Sequence, residues 1–128
     1  MSFSDDIRRF AEKTKLRMDL VHRKVVFDLT SSVVSMSPVK TGRFRNNWNI
    51  AEGEPNTSTR ETVGDPTDRL KGYADTINLG GVVYITNSLP YAIPLEYGWS
   101  KQAPHGMVRV TITNYQQYMA NAVRSLPR

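Results

Sequence analysis

Residues Ser37 to Ile50 read SPVKTGRFRNNWNI, and along them the periodicity of the chain changes. Pro38 lacks a backbone donor and disfavours helix at Ser37, so a helix arriving from upstream must stop here. Thr41-Gly42 then supplies a turn. Beyond it Phe44, Asn46, Trp48 and Ile50 alternate with Arg43, Arg45, Asn47 and Asn49, the period-2 pattern of a half-buried strand. A short helical turn over 43–47 fits the same residues.

Two enzyme spellings overlap in this stretch. Ser37-Pro38-Val39-Lys40 is S-x-x-K and Lys40-Thr41-Gly42 is K-T-G, both used by serine acyl-transferases of the penicillin-binding class. In those enzymes the two motifs sit on separate segments and cannot share one lysine. The S-D-N element is missing as well, and 128 residues are too few for that fold.

Upstream, Ser4 followed by Asp5 and Asp6 predicts an N-cap with acidic residues in the first turn. Ile7, Phe10, Thr14, Met18, Val21, Val25, Leu29 and Val33 recur at three- and four-residue steps, forming one stripe, the expected core face of a helix running to about Val34. Leu16, Leu20, Phe27 and Val34 fall on the opposite face, flanked by Arg9, Arg23 and Lys24. Scattered exposed leucines are ordinary, but an apolar row is the mark of a contact with another subunit.

Downstream, residues 52–67 (EGEPNTSTRETVGDPT) hold one strong hydrophobe, two glycines and two prolines. Such a segment cannot bury enough to order itself, so it reads as a long loop or arm, with Arg60 near its middle meeting a neighbouring chain. Asp68 to Ile77 suits a short helix weakened by Gly72. Gly80-Gly81 turns the chain into VVYITN, Val82 to Asn87, a strand expected to pair antiparallel with the Trp48 strand. The proline-rich run Asn87 to Gly106 is a compact irregular connector. Val108, Ile112, Tyr115, Met119, Ala122 and Leu126 then mark a last helix ending near Leu126, although Val108, Val110 and Ile112 also alternate as a strand would. No repeat or linker divides residues 1–128, which read as one domain.

Composition narrows the function. With 39% apolar residues the core is lean, so partners are expected to help. There is no cysteine and only two histidines, far apart, which removes disulfides and the recognisable zinc spacings. No cofactor is expected. The N-terminus lacks an apolar h-region and no run approaches 18 apolar residues, so synthesis in the cytoplasm and no membrane are expected. The net charge of +5 lies in residues 1–45, which carry ten Lys/Arg against five Asp/Glu. That imbalance suits either a solvated face or non-specific contact with phosphates.

Candidate chemical residues are few. His105 is a turn histidine, His22 lies at the edge of the first stripe, and Asn56-Thr57-Ser58 is a glycosylation sequon by spelling only. Glu96, between Leu95 and Tyr97, needs a cation or several donors if buried, and Arg43 or Arg45 is the expected partner. No nucleophile or metal-ligand set accompanies it, so the chain does not read as an enzyme.

Three segments together carry a resemblance. Pro38, Thr41, Gly42 and Arg43 form P-x-x-T-G-R; Asn87, Pro90, Tyr91, Ala92, Glu96, Tyr97 and Gly98 form N-x-x-P-Y-A-x-x-x-E-Y-G; Ala103, Pro104, Gly106 and Met107 lead into the last helix. In order and spacing these are similar to the minor tail-component family of long-tailed bacteriophages, which acts in tail completion and head-tail joining. The resemblance implies an α+β fold, a long N-terminal helix and a C-terminal helix packed on a small antiparallel β-sheet with a long loop or arm. It also implies a structural protein of the virion neck at the head-tail junction, made in the host cytoplasm. The expected assembly is a ring, six subunits being favoured over twelve, between a portal-connector or stopper protein and a tail terminator or tail-tube protein, with DNA in the channel. The alternative reading is a small basic nucleic-acid-binding module.

Overall fold

The side-chain oxygen of Ser2 accepts the Asp5 amide at 3.2 Å and opens helix α1, Phe3–Met36. The cap is therefore Ser2 rather than Ser4, and Asp5 and Asp6 still sit in the first turn, where they complement the helix dipole. In this computed structural model, which describes residues 2–126, an α+β fold follows. Elements after α1 run β1 Trp48–Glu52, α2 Thr67–Ala74, β2 Val83–Asn87, α3 Ala92–Glu96, α4 Val108–Thr113 and α5 Tyr115–Arg124. β1 and β2 pair antiparallel, with Trp48 opposite Asn87 and Glu52 opposite Val83.

Pro38 ends α1 as expected, and Ser37 seals the end. Its hydroxyl donates to the Val33 carbonyl at 2.6 Å and accepts the indole N–H of Trp48 at 2.7 Å, tying the helix to the strand that follows the turn. A single 3-10 turn over Arg45–Asn47 precedes β1, so both readings of 43–50 are realised, one after the other. The predicted last helix is instead two. Thr111, Thr113 and Asn114 are weak helix formers, and Asn114 turns its side chain back to the Val110 carbonyl at 3.1 Å, leaving a break between α4 and α5.

The core gathers Val26, Val33 and Val34 of α1 with Phe44, Trp48, Ile50, Leu70, Ile77, Leu89 and Met107. Val34 is thus inside the subunit, and Phe27 packs against the core edge with the Lys71 ammonium 5.3 Å from its ring centroid. Of the second row of α1, Leu16 and Leu20 remain outside, 54% and 38% exposed. The row divides because α2 packs beside the C-terminal half of α1 only.

The first stripe divides in the same way. Val25 and Val33 are buried, but Ile7 and Phe10 are 52% and 72% exposed, so the predicted core face is core only in its second half. Helix α1 has 34 residues and spans about 51 Å, more than a body this size can cover. Thr14 and Met18 already border the cleft shared with Tyr115 and Met119, and Asp19 is buried and accepts the Leu79 amide at 2.7 Å. One turn on, Arg23 binds the Ile77 carbonyl and the Asn78 side chain. The turns before Thr14 form a protruding helical arm, exposed at Ile7 and Phe10.

Residues 52–67, expected as a long loop or arm, form a loop between β1 and α2 that lies against the hairpin. Asn47 donates to the Arg60 carbonyl at 3.0 Å and accepts the Arg60 amide at 2.7 Å, doing with one side chain what a neighbouring strand does with its backbone. Asn49 reaches Ser58 O, Asn46 reaches Thr62 O, and the Thr86 hydroxyl reaches Asn56 O. Amide side chains rather than hydrophobes hold this loop in place, a support that apolar content does not register.

Candidate assembly surface

The three resembling segments fold into one unit. The amide of Gln102 bonds both the N–H and the C=O of Val39, at 2.9 and 3.2 Å, locking the turn after Pro38 to the connector. Asn87 donates to the Phe44 carbonyl at 2.9 Å. The Phe44 ring packs at 6.0 Å from Trp48, edge to face, and at 5.9 Å from Tyr91. Thr41 accepts the Arg43 amide, and Gly42, at φ +92°, makes the turn that brings Asn46 N to Gly42 O.

Glu96 does not join this unit through Arg43 or Arg45. Its carboxylate accepts the amides of Met107, Val108 and Arg109 at 2.8, 2.8 and 3.1 Å and the Arg109 guanidinium at 3.1 Å, so it caps the start of α4 from α3. Burial pushes its pKa up, but the three amides and Arg109 outweigh that and hold it below the ordinary range. Arg109 also stands 4.8 Å over the Tyr97 ring. Gly98 and Gly106, at φ +88° and +85°, let the chain pass this close: a Cβ on Gly106 would strike the Glu96 carbonyl, and one on Gly98 would lie 2.6 Å from the Pro104 oxygen. Arg43 turns the other way, to Glu61 at 3.0 Å and to the Arg60 carbonyl. Arg45 leaves a buried Nε without a partner.

On this frame Ile93, Tyr97 and Trp99 are 72%, 67% and 80% exposed. Ile93 and Tyr97 stand one turn apart and Trp99 follows two residues on, a cluster along the chain of exposed aromatic and aliphatic side chains of the kind that anchors protein contacts. Sequence reading placed Tyr97 in the motif but not the patch, whose signal was three large apolar side chains, Ile93, Tyr97 and Trp99, close together in a proline-rich connector. A second apolar surface lies elsewhere: a cleft of about 420 Å³ between α1 and α5, lined in part by Met18, Val21, Leu79, Tyr115 and Met119. Arg60, named in the sequence as a contact, is half-buried against Asn46 and Asn49.

No family model matches the chain, and no curated protein or solved structure shows significant similarity to it. The site must be read from its own chemistry. Among the described residues no group of three His, Asp or Glu side chains is placed to hold a metal, and no helix is long and apolar enough to cross a membrane. His105 is exposed on its turn, while His22 sits at the cleft with a buried Nε2 that has no partner.

Proposed function

We propose that this chain is a structural virion protein of the phage neck, joining head to tail or completing the tail as a ring-forming subunit. The observation that carries this reading is the exposed Ile93–Tyr97–Trp99 patch on a frame built from the same segments that resemble the minor tail-component family. A polar ring needs heterologous contacts, in which one face of a subunit meets a different face of the next. The aromatic patch, the Leu16–Leu20 row and the cleft beside α5 are separate apolar surfaces on one small body, which suits such contacts. A portal-side or tail-side protein is the partner for a face left free by the ring.

The test is particle assembly. Trp99→Ala should leave the subunit folded while heads and tails accumulate apart, seen by electron microscopy of infected cells, and the purified variant should lose co-sedimentation with tails or connectors. Normal joined particles from that variant would remove the reading.

A further inference from the structure

Two guanidinium groups converge beside β1 with no carboxylate between them. Arg60 Nη1 donates to Asn49 Oδ1 at 2.9 Å and to the Asn46 carbonyl at 3.3 Å. Arg69 donates to the same two oxygens, at 3.3 and 2.9 Å, and to the Trp48 carbonyl at 3.1 Å. Like charges held this close repel, and the shared acceptors are neutral. Burial, then the charge of Arg60, pulls the Arg69 pKa down. Among the described residues the ion pairs engage other cations, and neither Arg60 nor Arg69 takes part in one. Of the acids in the flanking loop, Glu61 binds Arg43, and Asp65 accepts the amide and hydroxyl of Thr67.

The pair is built rather than incidental. Asn47 grips the Arg60 backbone on both sides, Asn49 stands between the guanidiniums, and α2 brings Arg69 in from its first turns. Of the asparagines in RNNWN only Asn49 lies in the strand, where asparagine is disfavoured, and its side chain is the acceptor that both guanidiniums share. Each guanidinium has five N–H donors, and the contacts to the strand use only part of them.

We propose that Arg60 and Arg69 form a binding site for a phosphate group, carried on a DNA backbone or free in solution. A tetrahedral oxyanion engages both forks at once and cancels their repulsion, whereas one carboxylate is satisfied by a single fork. Both guanidiniums keep a solvent-reachable edge, Arg60 half-buried and Arg69 exposed. The site stands without the neck reading, which only makes DNA the more available source.

The test titrates the ¹⁵N-labelled full chain, at fixed ionic strength, with inorganic phosphate, a short DNA duplex and acetate in turn. Phosphate and duplex should shift the Asn49 side-chain and Arg60 backbone resonances along the same direction, with acetate giving no such shift. Arg60→Gln with Arg69→Gln should abolish that response, weaken duplex binding about tenfold or more and flatten its salt dependence by about two counterions. The paired Lys variants should keep the salt dependence and lose part of the phosphate shift. Response to phosphate alone upholds the site and removes DNA as its source. No shift with phosphate or duplex overturns the proposal, and so does an equal response to acetate, which would identify a partner's carboxylate as the ligand. Should the Gln variants unfold, the parent titrations still decide, and none of these outcomes touches the particle assay of Trp99→Ala.

Discussion

Glu96 takes four donors on one side chain that is 18% exposed, and its loss should be felt at two levels. Glu96→Gln replaces one acceptor oxygen with a donor facing Arg109 and the first amides of α4, so we expect a loss of about 1–3 kcal/mol in denaturant unfolding. The sign with pH follows from the depressed carboxyl. Its stabilisation is complete at neutral pH and is lost as the pH falls below the ordinary value of 4.5 and through the lower folded-state value. The gap between parent and variant should therefore close on acidification, and a constant gap would show that Glu96 acts by packing alone. Gly98→Ala should be worse still, because it adds a left-handed strain to a backbone collision and has no flexible atom to move; a melting point equal to the parent's would contradict the geometry. The need of Glu96 for partners was legible from its apolar neighbours. The identity of those partners was not, because Met107 to Arg109 contribute backbone amides that no residue type announces.

Strand β1 and its pairing with β2 were readable from alternation and β-branching, and α1 from its stripe and from Pro38. What escaped was everything set by side chains bonding to distant backbone. The loop over 52–67 is ordered by Asn46, Asn47 and Asn49, and the two-part ending α4–α5 by Asn114. Each is a local polar choice that hydrophobic periodicity does not register. Asn47→Ala should release the loop while β1 survives on its pairing with β2. Limited trypsin digestion should then cut at Arg60 in the variant while the parent resists there, and equal cutting in both would restore the reading of 52–67 as a free arm. Ser37→Ala should strand the buried Trp48 indole N–H and cost about 1–3 kcal/mol, with a shift in tryptophan emission reporting the changed surroundings.

Taken as a unit, the molecule is a small body with the first turns of a long helix beyond it. Leu20 and Phe27 share one helix face but differ in surroundings, so they separate assembly from folding. Leu20→Glu should keep the parent's melting temperature and reduce self-association in sedimentation, whereas Phe27→Glu should lower the melting temperature, since its ring packs on the core. Equal melting temperatures would mean that Phe27 is as dispensable to the fold as Leu20. The arm before Thr14 has a further consequence. A helix of that length is marginal in water alone, and here it is nucleated by turns already fixed against the body, so it should melt residue by residue from its free end rather than with the core. Amide hydrogen exchange should show a gradient of protection that rises from Phe3 towards Thr14 and a plateau after Asp19. Circular dichroism should lose helix gradually well below the main transition, and a ligand or subunit that covers Ile7 and Phe10 should convert that slope into part of the single cooperative step.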